Sequence, residues 1–325
     1  MARWYAGVTH SHTLASDGKL TLEQLIAKAL KAKLDFLIIT DHNHNCEEDL
    51  PHVKGLTLIY GTEMTYEGGH ANVWGVKKAV DDFKCESYEQ WIEKKTEAQR
   101  RGALVCMNHP LCTNCPWRWE KDLAQFDALE IWNAIQHYDN MTCTEWWREQ
   151  LKAGYKTPIV GGSDFHRDYY VTRILSVPTT YVWANSSSPE DILDAIKKGH
   201  TTVTNSVGTT MVELGSGDAI TGDTVKLKKG TAVTVKAHGL KKGHTLKVFD
   251  KTGEIFTHTA VKTGDYQITL PVREPGFVCA HVEYETGALY KKVYNTVIGG
   301  WIPSQKNMEL PPFIYAQCSA MFFED

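Results

Sequence analysis

The sequence contains no run approaching the roughly 20 apolar residues that a membrane-spanning helix requires. Its opening, MARWYAGVTH, holds no apolar stretch of the kind that directs secretion. The expectation is a cytoplasmic chain with no membrane partner. Neither charge sign dominates: 35 Lys and Arg stand against 39 Asp and Glu, a net charge of -4, so no basic tail offers itself to a nucleic-acid polymer. The 8 cysteines follow no framework-like spacing and are expected to remain thiols. Cys112 and Cys115 form a single CxxC with no second pair beside it, which makes structural zinc or redox use the minor reading. Short repeats and low-complexity tracts are also missing.

What is present divides the chain. With 325 residues and roughly 150 per domain, about two domains are expected. Nine of the ten tryptophans and seven of the eight arginines precede residue 184, whereas the later chain is rich in Thr, Val, Gly and Lys. In the first part, short apolar runs end in polar residues: Trp4 to Val8, Phe36 to Thr40, Leu56 to Met64, Ala71 to Val76, Ala103 to Met107, Ala128 to Trp132, Pro158 to Gly161 and Thr179 to Trp183. Helices alternate with them. Thr21-x-x-Gln24 and Ser87-x-x-Gln90 read as capping boxes, and Ser188-Pro189-Glu190 opens a third helix that stops at Gly199. Alternating strand and helix predict a parallel α/β sheet or barrel over residues 1–200. From about Thr201, period-two segments separated by glycine turns predict a small antiparallel β-sandwich over 201–325.

The polar residues fall where the strands of the first part end, the end at which a β/α barrel builds its site. His10-Ser11-His12 follows the first strand. Residues i and i+2 of an extended segment point to one side, so His10 and His12 can ligate one metal, with Asp17 returning from the loop. Asp41-His42-Asn43-His44 follows the second strand, Glu63 lies on the third, and His70 opens the fourth. His109 follows the fifth, and Ser163-Asp164-Phe165-His166 supplies another i, i+2 pair. Any one of these could be an ordinary hydrogen-bonded residue. Together they are hard to explain by packing, because buried ionisable groups are unfavourable unless paired or metal-bound. His44 and His137 lie beside this pattern and are expected to contact substrate or support a ligand. His52, His200, His238, His244, His258 and His281 lie outside it.

HxHTxxSDG near the start, TDHN after the second strand, a lone Glu, an HP dipeptide and a late GSDxH together resemble the polymerase and histidinol-phosphatase (PHP) family over roughly residues 3–200. The β-rich tail and the late Pro311-Pro312-Phe313-Ile314-Tyr315 resemble its CehA/McbA-like branch. The resemblance implies a distorted, TIM-like (β/α)7 barrel with a trinuclear centre of Mn, Fe or Zn. It implies His10, His12, Glu63 and Asp164 around the first ion, and Glu63, His70 and His109 around the second. Asp17, His42 and His166 would hold the third.

Three divalent ions, three carboxylates and a hydroxide leave a formal charge of about +2, suited to a phosphate monoester dianion. The expected activity is therefore hydrolysis of a small phosphorylated metabolite by a metal-bridging hydroxide, with Glu63, Asp164 and His166 as catalytic residues. Arg118, Arg167 and Arg173 are candidates to clamp phosphate, and His44 or His166 to protonate the leaving group. A carboxylesterase or carbamate hydrolase using the same metals is the alternative, and a non-catalytic metal-stabilised binding protein is a further one. Oligomeric state is not legible.

Overall fold

The structure is a computed structural model that describes residues 2–134, 136–168, 174–301, 303–305 and 308–325. The first part runs β1 (Arg3–Val8), α1 (Leu22–Lys31), β2 (Phe36–Ile39), β3 (Thr57–Tyr66), β4 (Gly69–Trp74), α2 (Tyr88–Arg100), β5 (Leu104–Met107), β6 (Ala128–Asn133), α3 (His137–Lys152), β7 (Ile159–Gly162), β8 (Thr179–Ala184), α4 (Pro189–Lys197) and β9 (Thr201–Thr204).

Helix starts follow local chemistry. At α1 the Thr21 hydroxyl accepts from the Gln24 amide while the Gln24 side chain accepts from the Thr21 amide, the reciprocal pair its sequence predicts. At α2 the Ser87 hydroxyl caps Gln90, but the Gln90 side chain accepts from the Glu86 amide instead, one residue earlier. At α4 Ser188 caps and Pro189 takes the first helical position.

The first sheet is mixed rather than parallel. β1, β2 and β3 run parallel, as do β5, β6 and β7, but β3, β4 and β5 alternate in direction because β3 and β4 form a hairpin. β8 pairs antiparallel with both β1 and β9. Among the described residues no ladder joins β7 to β1, so the expected closed barrel is replaced by a curled, open sheet. Its ends meet at one bridge, Ser11 with Phe165, where the His12 amide donates to the Phe165 carbonyl at 2.9 Å. Threonine side chains complete the contact. The Gly161 amide donates to the Thr180 hydroxyl at 2.8 Å, and the Thr201 hydroxyl donates to the Ile159 carbonyl at 2.7 Å.

The second part contains β10 (Met211–Ser216), β11 (Ala219–Ile220), β12 (Thr224–Lys226), β13 (Ala232–Leu240), β14 (Thr245–Asp250), β15 (Gly253–Thr259), β16 (Gly264–Pro271), β17 (Gly276–Tyr284), α5 (Ala288–Trp301), β18 (Phe313–Cys318) and β19 (Met321–Glu324). β11, β10, β13 and β16 form a four-stranded antiparallel sheet. Its Val212, Leu214, Val233 and Val235 share a core with Leu246, Val248, Ala280, Val282 and Ala316 of the strands facing it. That facing layer is not an independent sheet: β18 pairs with β17 on one side and with β9 on the other, which makes it continuous with the first sheet. The tryptophans of the first part sit mostly in the core beneath α2 and α3, where Trp91, Trp117, Trp132 and Trp147 are buried.

Candidate metal centre

The chain after β1 is fixed before any ligand is considered. The Ser11 hydroxyl donates to the Ile38 carbonyl at 2.8 Å and its amide donates to the Thr40 hydroxyl at 3.0 Å, so the pleat turns His10 and His12 to the same side. Both imidazoles are fully buried. The Asp41 carboxylate accepts from the Thr13 amide, the Thr13 hydroxyl and the Ser16 hydroxyl, at 2.7, 2.7 and 2.6 Å, and so shapes the loop that brings Asp17 back.

Glu63, buried on β3, is the centre of the arrangement. Five imidazoles surround its two oxygens: His42 at 2.8 Å, His70 at 3.2 Å, His10 at 3.4 Å, His109 at 3.5 Å and His12 at 3.6 Å. Asp164 lies 3.1 Å from His12 Nε2 and 3.4 Å from His10 Nε2. Asp17 lies 3.1 Å from His166 Nε2 and 3.5 Å from His42 Nε2. Donors bound at roughly 2.0–2.2 Å in a tetrahedral shell sit about 3.3–3.6 Å apart, which is the spacing found here. His10 Nε2, His12 Nδ1 and Glu63 Oε2 are buried without a hydrogen-bond partner among the described residues. Native proteins seldom leave such atoms unsatisfied, so three of them on residues gathered in one buried cluster fit divalent cations. Among the described residues, three groupings of donors fall within 4.8 Å: His10, His12 and Glu63; His12, Asp17, His42 and His166; and His70, His109 and Cys115.

The electrostatics agree with the geometry. Burial alone would raise the Glu63 carboxyl, but His10, His109 and His42 outweigh it and hold Glu63 well below the usual carboxylate range. Asp164 is likewise pushed well down by His10 and His12 against its burial. Burial opposes a charge on His10, His42 and His109, yet the carboxylates hold the first two above the ordinary histidine value and lift His109 to about 9. His12 is lowered, because its burial outweighs Asp164. These are carboxylates in an intense cationic field, a role that metal ions take over with release of protons.

Two of the donors sit on strained backbone. His109 has φ of 28° and Asp164 of 49°, in the left-handed region that L side chains rarely adopt and that concentrates at functional sites.

The nine carboxylates and imidazoles expected from sequence thus converge, whereas the expected substrate contacts disperse. His44 lines a cavity of about 490 Å3 together with Asp41, Glu47, Glu48 and Asp49, an acidic wall. Arg118 is exposed beside the β3–β4 hairpin, 3.9 Å from Glu67. Arg167 is exposed and follows His166 directly. His137 opens α3 and stacks on Phe313 at 3.9 Å, near Tyr294 and Trp132, among aromatic rings instead of the polar cluster. Arg173 lies outside the described residues.

Sequence reasoning overlooked the groups that hold the ligands. Glu130 accepts or shares a proton with His10 Nδ1 at 2.8 Å and accepts from the His109 amide at 3.1 Å. Asn108 donates to Glu63 at 2.9 Å, and Thr65 lies 2.6 Å from His42 Nδ1. A buried Glu inside the apolar strand Ala-Leu-Glu-Ile-Trp was the available signal for the first of these.

No family model matches the chain. Two curated relatives are each 32% identical to parts of it. One is the 5'-3' exoribonuclease Rnm of Salmonella typhimurium, over 105 residues that make up 30% of this chain and 35% of that protein. The other is the 5'-3' exoribonuclease Rnm of Escherichia coli, over 97 residues, 27% of this chain and 33% of that protein. The chain therefore matches only about a third of the length of either relative. Among solved structures, a two-domain protein from Bacteroides vulgatus containing a predicted PHP-like metal-dependent phosphoesterase superposes with a TM-score of 0.52 at 17% identity, covering 86% of this chain and 90% of that one. What the chain shares with that protein is its α/β fold, across both parts.

Proposed function

We propose that this chain is a PHP-type, metal-dependent phosphoesterase of the CehA/McbA-like branch that hydrolyses a small phosphorylated metabolite, with residues 1–200 carrying the chemistry and 201–325 as an accessory sandwich. The observation that supports it most is the convergence of five imidazoles on Glu63, with Asp164 and Asp17 at the flanks. His10, His12, Glu63 and Asp164 would hold one divalent ion, Glu63, His70 and His109 a second, and Asp17, His42 and His166 a third, of Mn, Fe or Zn. Such ions, when bound, supply an activated water and positive charge against phosphoryl oxygens.

The remaining roles fall to the chain itself. Glu63 and Asp164, kept ionised by their surroundings, hold the imidazoles in register. Arg167 and Arg118, both exposed, would meet the phosphate through guanidinium hydrogen bonds. Both ring nitrogens of His166 are engaged, by the Asp164 carbonyl at 2.8 Å and by Asp17, which suits a ligand more than a proton donor; His44, in the neighbouring acidic cavity, would then be the candidate to protonate the leaving group.

A second reading, in which the phosphoester lies in an RNA strand, is favoured by the partial match to the exoribonucleases. The net charge of -4 weighs against it. The test is a parallel assay of the metal-loaded protein on p-nitrophenyl phosphate, bis-p-nitrophenyl phosphate, p-nitrophenyl acetate and a single-stranded oligoribonucleotide. Turnover of phosphate esters is expected. Turnover of the acetate alone would move the reading to a carboxylesterase, and of the oligonucleotide alone to a nuclease.

A further inference from the structure

The loop after β5 carries the two cysteines that sequence left without a role. Cys112 Sγ and Cys115 Sγ lie 3.2 Å apart, and the Cys115 amide donates to Cys112 Sγ at 3.4 Å. The other side of Cys115 Sγ meets His109 Nδ1 at 3.7 Å, while His109 Nε2 faces Glu63 at 3.5 Å. Cys115 thus stands to His109 as Glu130 stands to His10: each lies against Nδ1, while Nε2 of the same ring faces Glu63.

The loop is held tightly. The Cys112 amide donates to the His109 carbonyl at 2.9 Å, and the Thr113 amide and hydroxyl donate to Asp139 at 3.0 and 2.7 Å. Gln305 closes over it with bonds of 2.8 Å to both Thr113 and Asp139. Cys112 is buried and Cys115 half-buried, so a small oxidant reaches Cys115 first.

We propose that Cys112 and Cys115 form a reversible oxidation site that controls His109, and hence the second metal position. This rests on the functional reading above. The balanced reaction uses a peroxide. The Cys115 thiol attacks one peroxide oxygen and water leaves, giving a sulfenic acid; the Cys112 thiolate then attacks that sulfur and hydroxide leaves, taking up a proton. In sum, two thiols and one hydrogen peroxide give one disulfide and two waters. The Cys115 sulfur moves toward Cys112 and away from His109 Nδ1, so His109 loses the contact that aims its ring. Loss of such a partner weakens metal affinity about 10–100-fold.

The experiment treats the reduced, metal-loaded protein with hydrogen peroxide, then measures bound metal after gel filtration and maps thiols by peptide mass. The expected result is a Cys112–Cys115 link, lighter by two hydrogens, together with 10–100-fold weaker retention of one ion, both reversed by dithiothreitol. Cys112→Ser is expected to hold its metal when reduced, to form no link and to keep its metal after peroxide. Free thiols at both positions after peroxide would overturn the proposal, as would a link that leaves metal retention unchanged. Failure of the reduced protein to bind metal at all would instead remove the functional reading, an outcome distinguished by the untreated control.

Discussion

The Nδ1 of His10 lies 2.8 Å from Oε1 of Glu130, with both side chains buried, so the other ring nitrogen of His10 is the one directed at Glu63 and Asp164. A carboxylate behind an imidazole fixes its tautomer and raises its basicity as a ligand. Glu130 also accepts from the His109 amide and from the Asn133 side chain, at 3.1 Å in both cases, so one carboxylate braces two ligands that follow β1 and β5, strands not adjacent in the sheet.

Glu130→Gln keeps the shape of that brace and removes its charge. It is expected to lower metal affinity about 10–100-fold with the fold intact. Competition against a chelating dye, alongside circular dichroism, measures both; unchanged affinity would mean that Glu130 is only a packing residue.

Gly162 makes the brace possible. A Cβ there would sit 1.9 Å from Glu130 Oε1 and 2.5 Å from His10 Cβ. Gly162→Ala is expected to cost about 1–3 kcal/mol in denaturant unfolding, the range for overpacked cores, and to weaken metal retention with it. A neutral substitution would show that the strand can shift without cost.

Removing a ligand acts on chemistry more than on folding. Asp164→Ala is expected to lower turnover of the preferred phosphate ester by about a hundred- to a thousand-fold, the size seen when one transition-state contact is lost. Full hydrolysis with unchanged metal content would set the proposed roles aside.

His137 yields a pH dependence separate from the metal cluster. Burial against Phe313 and Tyr294 lowers its pKa from 6.5 to about 3, so the folded protein keeps the ring neutral where the unfolded chain protonates it. The group costs nothing above pH 6.5 and destabilises the fold increasingly as pH falls from 6.5 toward 3. His137→Phe is expected to remove about 1–2 kcal/mol of the stability lost between pH 7 and pH 5, as read from urea unfolding at the two values. Parallel pH profiles for the variant and the native chain would contradict the assignment.

The strand-end ligands were legible because each is a polar residue closing an apolar run, and two of the pairs carry the i, i+2 spacing of an extended chain. Helix starts at Thr21, Ser87 and Ser188 were legible from capping chemistry. Other features depend on contacts distant in sequence. The hairpin of β3 and β4 reverses the expected parallel order, because the short Glu67-Gly68 turn leaves no room for a crossover helix. The return of β18 to lie between β9 and β17 joins residues more than a hundred apart, and local pattern cannot show it. Glu130 was hidden for a related reason: a supporting side chain is recognised by what stands in front of it, and His10 lies on a distant part of the chain. His137 matched the chemistry of a site residue, yet α3 directs it onto Phe313.

The most direct test is the metal content per chain of the reduced native protein and of Glu63→Ala, after equilibration with Mn, Fe or Zn and removal of excess ion. About three ions per chain are expected in the native protein, and the loss of at least two is expected in the variant, because Glu63 is shared between the first and second positions. A native protein that retains no ion, or a Glu63→Ala chain that retains as many as the native one, would contradict a metal centre built around Glu63.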